Sequence, residues 1–183
     1  PLIVGDPMVY IILNDLMRDY EKDENGNGLT ELGIEMHLAI FGFSANSNQR
    51  DQNIYINCYI KNRSDRNYTD FKLGFWNDFD VGNPVDDYIG SDSINNIYYS
   101  YNGDAIDDVS GGASPGFGET PPMVGVKNIS DILNGFKYYN FGSGINQDPN
   151  TLEDFNYYFD GYNKAGAPVL ENGVPTKFSY NVF

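Results

Sequence analysis

Cysteine, histidine and tryptophan each occur once in the 183 residues, as Cys58, His37 and Trp76. A single cysteine excludes an internal disulfide, a CxxC redox pair and a thiolate zinc cage. One histidine leaves no His-rich transition-metal site, and a Ser/His/Asp triad would have to be built around His37. Positive charge is also scarce: 11 Lys+Arg stand against 26 Asp+Glu, a formal net charge of -15. Such a chain repels phosphate backbones and anionic headgroups, which disfavours nucleic acid and acidic membranes as partners. Long apolar runs are missing. The longest, Met8 to Leu13, falls far short of the ~20 residues of a spanning helix, so no transmembrane segment is expected. No initiator Met or leader precedes Pro1, from which the sequence reads as a processed chain or an excerpt of a longer one.

What is present suffices for one core, with 40% hydrophobic and 15% aromatic residues. Period two dominates. Ile34, Met36, Leu38 and Ile40 alternate with Glu35, His37 and Ala39; Ile54, Ile56, Cys58 and Ile60 repeat the pattern, and Phe71, Leu73 and Phe75 repeat it again. Runs at Met8 to Leu13, Ile94 to Tyr101, Met123 to Val126, Gly135 to Asn140 and Lys177 to Val182 predict five further strands, bounded by Gly, Asn, Asp or Pro. Near 151–162 the period changes. Thr151 and Asp154 form a capping-box spacing, and Phe155, Tyr158, Phe159 and Tyr162 share a helical face that Gly161 closes. The expected fold is all-β, an antiparallel β-sandwich or jelly roll with one short helix, in a single module over 1–183.

Charge is distributed unevenly. Between Lys72 and Lys127 there is no basic residue, yet the stretch holds Asp78, Asp80, Asp86, Asp87, Asp92, Asp104, Asp107, Asp108 and Glu119. Two like charges ~4 Å apart repel by ~4 kcal/mol at an effective dielectric near 20, so a folded loop that gathers several needs separation, protonation or a cation. Calcium fits best, because it takes six to eight oxygens from carboxylates, amides and carbonyls. The spacing predicts a structural Ca2+ held by Asp78, Asp80, Asp86, Asp87 and Asp92, with Gly82 allowing a sharp turn and Trp76, Phe79, Val81, Tyr88 and Ile89 as surrounding core. Asp104 and Asp107 stand within reach, although Tyr101-Asn102-Gly103-Asp104 reads foremost as a tight turn. A second metal loop is suggested by Asp23, Asn25 and Asn27 in a D-x-N-x-N-G phrase. Ile34 stands where its bidentate Glu belongs, so a polar turn competes with that reading.

Several phrases together resemble a known group of proteins. They are Gly5-Asp6-Pro7-Met8-Val9-Tyr10 with Asn14-Asp15, then Gly33-Ile34-Glu35-Met36-His37, Asn62-Arg63-Ser64, and above all Gly74-Phe75-Trp76-Asn77-Asp78-Phe79-Asp80-Val81-Gly82 followed by Asp86-Asp87-Tyr88-Ile89-Gly90-Ser91-Asp92. The central block is similar to a G-x-W-x-D-x-D-x-G...D-D-Y-x-G-x-D signature in large Bacteroidetes surface proteins exported by the type IX route. The resemblance implies an extracellular or cell-surface location and no particular activity. Family members often carry Cys where Ser91 stands and extend beyond the equivalent of Phe183, which implies an excerpt of a longer protein.

Three functional classes follow. The first is a non-catalytic, calcium-stabilised surface module serving adhesion or an extracellular assembly, with a surface glycan, a protein or further copies of itself as partner. A carbohydrate-binding domain is the second, with Trp76, Tyr98, Tyr99 and Tyr101 as the ligand platform; aromatics alternating along strands more often fill a core. The third is a glycan-active hydrolase using paired carboxylates, for which no spacing selects a pair. Glu35 and His37 share a predicted strand face and form either an acid/base couple or, more plainly, the polar outside of a half-buried strand. Cys58 is expected to be a small buried hydrophobe.

Overall fold

In the computed structural model, which describes residues 3–15, 31–44, 51–108, 116–130, 134–139, 142–171 and 173–177, most of the alternating segments pair as antiparallel strands. The elements run β1 (Met8–Asn14), β2 (Ile34–Phe41), β3 (Tyr55–Asn62), β4 (Asp87–Asp92), β5 (Ile97–Asn102), β6 (Met123–Lys127), α1 (Leu152–Phe159), β7 (Leu170–Glu171) and β8 (Val174–Pro175). The all-β class expected from the sequence is present: two three-stranded antiparallel sheets, a two-stranded ribbon and one short helix. The chain falls into two compact units, Pro1–Asp70 and Phe71–Phe183. No linker composition marks the division, which is why the sequence alone reads as one module; Asp70 takes a φ of 55° there. No described helix is long and apolar enough to cross a membrane.

The first unit holds the sheet β1-β2-β3. Met36 lies between Leu13 and Ile60, Leu38 between Ile11 and Cys58, and Ile40 between Val9 and Ile56. Because side chains alternate, these nine residues form one aliphatic face, while Tyr10, Glu35, His37, Tyr59 and Lys61 share the other. Cys58 sits among the aliphatics, and burial pushes its thiol pKa up. Just past β1, Asp15 fastens the start of β2: its carboxylate accepts the N–H groups of Leu32, Gly33 (2.9 Å) and Ile34 (2.8 Å). Burial opposes the ionised form, but these amides outweigh it and hold Asp15 below the usual carboxylate range.

The second unit departs from expectation in two places. Phe71, Leu73 and Phe75 alternate but join no ladder, and all three are exposed, by about half in Phe71 and Leu73. Period two records which way side chains point; a strand also needs a second backbone to pair with. Here the backbone approaches α1 instead, so closely that a Cβ on Gly74 would lie 2.9 Å from Phe159 Cζ. Conversely, Asp87–Asp92, read from the sequence as part of a cation loop, is strand β4 at one edge of the sheet β4-β5-β6. The strand expected over Ile94 to Tyr101 begins only at Ile97, because residues 93–96 make the hairpin turn, with Asn96 at a φ of 54°. No strand forms over described residues 134–139, though the Phe136 N–H donates to the Lys177 carbonyl (2.9 Å). Asn140 and 178–182 lie outside the described residues.

Helix α1 follows its sequence signals closely. Thr151 Oγ1 accepts the Asp154 N–H (3.1 Å), and Asp154 Oδ2 accepts those of Thr151 (3.1 Å) and Asn150 (2.8 Å). At the other end Gly161, at a φ of 83°, donates to the Tyr158 carbonyl while Tyr162 donates to Tyr157, the Schellman pattern that favours glycine. Only Tyr158 and Asp154 of this helix are buried; Phe155, Phe159 and Tyr162 stay partly exposed. Thr151→Ala is expected to lower stability by about 1 kcal/mol, the usual cost of a lost N-cap, read as a fall in the urea midpoint. An unchanged midpoint would show that Asp154 alone carries the cap.

Buried side chains among the described residues all belong to the second unit. Val81, Tyr98 and Tyr158 are apolar, whereas Asn83, Ser91, Ser100, Asn102, Asp107, Asp154 and Asn163 are polar. A core in which polar groups outnumber apolar ones stands or falls on how those groups are satisfied.

Candidate metal centre

The five aspartates expected to share one cation are divided by the fold. Asp92 ends β4 and is consumed by the hairpin: its carboxylate accepts the Ile94 N–H (2.9 Å), the Asn95 N–H (3.0 Å) and the Asn95 side-chain amide (2.6 Å). The Asn95 side chain first, then the amides and Lys127, hold its pKa below the usual range. Asp87 opens the same strand, five steps and about 16 Å away at the usual rise, so Asp87 and Asp92 do not serve one ion. Asp78 is exposed, and its charge is felt by Tyr139, whose pKa burial raises first. Asp80 is exposed as well but remains near Asp87.

Asp80, Asp86 and Asp107 each lie near enough to Asp87 for their charges to act on it. Burial pushes the Asp87 carboxyl up; the Val81 amide (2.8 Å) opposes this, and the charges of Asp86, Asp107 and Asp80 add to it. No ion pair among the described residues reaches any of the four. Asp107, only 1% exposed, anchors the loops around them. Its Oδ1 accepts the Asn83 N–H (3.0 Å) and its Oδ2 the Phe117 N–H (2.7 Å), while its backbone exchanges two bonds with Gly118 (2.9 Å each).

Three side-chain oxygens around Asp87 are orphaned. Asp86 Oδ1, Asp87 Oδ1 and Asn102 Oδ1 are buried with no hydrogen-bond partner. Asn102 is 6% exposed and stands directly opposite Asp87 in the β4–β5 register, so the two side chains share a face. Its amide nitrogen is turned toward the Asp104 carbonyl (3.2 Å), which fixes the oxygen as the free end. Acceptors without donors, two of them on carboxylates, suit a hard cation that takes oxygen from carboxylate, amide and carbonyl alike. Among the described residues no group of three or more His, Cys, Asp and Glu side chains is arranged to hold a metal on its own. The carboxylates would not suffice for a cation here, which would have to draw on amide and backbone oxygen as well. Asn102 was missed in sequence because Asn-Gly reads as a turn; its even spacing from Tyr98 and Ser100 on the buried face of β5 was the available signal.

The expected ligand platform also separates. Trp76, 60% exposed, meets Tyr139 edge-on, with ring centroids 5.1 Å apart. Tyr98 is core, 8% exposed, stacked on Phe136 (4.9 Å) and accepting from the Asn77 amide (2.6 Å). Tyr99 and Tyr101 occupy the opposite face with Tyr88, and the Tyr99 ring lies across Gly90, leaving no room there for a Cβ. The loop of Asp23, Asn25 and Asn27 lies outside the described residues. Comparison with protein-family models, curated proteins and solved structures gives no match.

Proposed function

We propose that the chain is a non-catalytic module of an exported surface protein, serving adhesion or an extracellular assembly, and that one calcium ion staples its second unit through Asp86, Asp87 and Asn102. The observation that carries this reading is the orphaned, buried oxygens of Asp87 and Asn102, two residues paired directly across β4 and β5. Asp86 Oδ1 adds a third acceptor and Asp80 a nearby charge. Export is supported by the likeness of residues 74–92 to the surface-protein signature. A buried anion without a counter-charge costs several kcal/mol, and a bound cation offsets that while stabilising the fold by mass action. At ten times its Kd the ion contributes about 1.4 kcal/mol.

Excess chelator is expected to lower the melting temperature of the second unit by several degrees, and added calcium to restore it. Elemental analysis should find one calcium per chain. Asp87→Asn removes one carboxylate from the site and should abolish the response to calcium. Identical melting curves with and without chelator, together with no metal in the purified protein, refute the site.

A further inference from the structure

The lone histidine is engaged at both ring nitrogens. On the polar face of the first sheet, His37 Nε2 lies 2.6 Å from Glu35 Oε1 and Nδ1 lies 2.5 Å from the Tyr10 hydroxyl. An ionised carboxylate only accepts, so Nε2 carries the hydrogen. In the neutral ring Nδ1 is then the acceptor, and Tyr10 donates to it. Glu35 is itself held by Arg63 Nη2 at 2.6 Å; that bond first and His37 second bring the Glu35 pKa down to about 2. The groups facing the imidazole are thus Tyr10 from β1, Glu35 from β2, Tyr59 and Lys61 from β3, and Arg63 just beyond it.

The geometry points to Tyr10 as a nucleophilic attachment site for acyl groups, with His37 as its base and Glu35 as the positioning residue. A nucleophile bonded to a base that a third group orients is the arrangement that activates hydroxyls elsewhere. The phenol oxygen attacks the carbonyl carbon of an activated ester. Its O–C bond forms as the ester C–O bond breaks, His37 Nδ1 takes the phenol proton, and the imidazolium returns that proton to the leaving oxygen. An acyl donor fits better than a phosphoryl donor. Phosphoryl transfer needs cations around the transferring group, whereas Lys61 and Arg63 gather at the Glu35 end of the relay.

The test uses p-nitrophenyl acetate on the intact chain, in chelator, with acetylated positions located by peptide mass spectrometry. Because the relay lies in the first unit, its failure and that of the calcium staple are read separately. Tyr59 is the internal control, being 63% exposed against 39% for Tyr10. Accessibility alone favours Tyr59; the relay predicts at least tenfold faster acetylation of Tyr10. The wild-type pH profile at Tyr10 should level off, because the imidazole and not hydroxide takes the proton, whereas the rate of an unassisted phenol rises about tenfold per pH unit with hydroxide. His37→Gln should bring Tyr10 down to the rate of Tyr59. Glu35→Gln should slow it less and move the plateau to lower pH, an effect that a purely structural carboxylate would not produce. Should either variant fail to fold, the wild-type profile is sufficient. A Tyr10 rate equal to that of Tyr59, or one rising with hydroxide throughout, overturns the proposal.

Discussion

Asp107→Ala is expected to destabilise the second unit by about 2–5 kcal/mol in the presence of calcium. The Asn83 amide, which is buried, and the Phe117 amide, which is part-buried, both lose the carboxylate that accepts from them, and a buried hydrogen bond lost in this way costs about 1–3 kcal/mol. One effect works the other way. Asp107 is among the charges that disfavour ionised Asp87, so its removal relieves repulsion. With a cation bound that repulsion is already offset and the lost hydrogen bonds dominate; in chelator the relief is larger and the penalty should shrink. Urea denaturation followed through Trp76, the only tryptophan and a member of this unit, reads both values. A penalty that is the same with and without calcium would separate Asp107 from the cation altogether.

Gly82→Ala should cost still more, in excess of about 3 kcal/mol, although it neither adds nor removes a charge. Gly82 has a φ of 70°, where an L side chain is disfavoured by about 1–2 kcal/mol. Sterics contribute the rest: a Cβ there would lie 1.8 Å from Asp107 Oδ2, 2.7 Å from its Cγ and 2.8 Å from Phe117 Cδ2. The carboxylate cannot withdraw, because the Asn83 and Phe117 amides hold both of its oxygens. Residues in such direct contact do not act additively. In an Asp107→Ala background the two contacts with the carboxylate disappear and only that with Phe117 remains, so the double variant should be more stable than the sum of the single penalties by at least about 1 kcal/mol. Additive penalties would mean that the loop accommodates the methyl group by moving as a whole.

The two substitutions probe the part of the candidate site that was least legible in the sequence. Nine carboxylates without a basic neighbour were plain from composition, and so was the idea that they need an accommodation. Which of them meet was hidden. Asp86 and Asp87 lie next to each other in the chain, but Asn102 and Asp107 reach them through the hairpin of β4 and β5 and the loop contact at residues 116–118. Asp92 looked equivalent to Asp87 in the run of acids, yet the strand between them carries it to the far end and into a turn. In unit one the same limit applies. Glu35 and His37 were visibly on one face, whereas Tyr10 and Arg63 joined them only through the register of β1 and β3.

By itself the amino-acid order determined the all-β class, the strands at Met8, Ile34, Tyr55 and Met123, and the helix opening at Thr151 and closing at Gly161. Those signals are local: alternation, a cap and a terminating glycine act within a few residues and need nothing distant. Tertiary structure alone decided that Phe71 to Phe75 stays unpaired and that Asp87 to Asp92 becomes a strand. It also decided that Asp86, Asp87 and Asn102 each keep one buried side-chain oxygen without a hydrogen-bond partner. Pairing, register and desolvation are properties of two segments at once, and no single stretch of chain contains them.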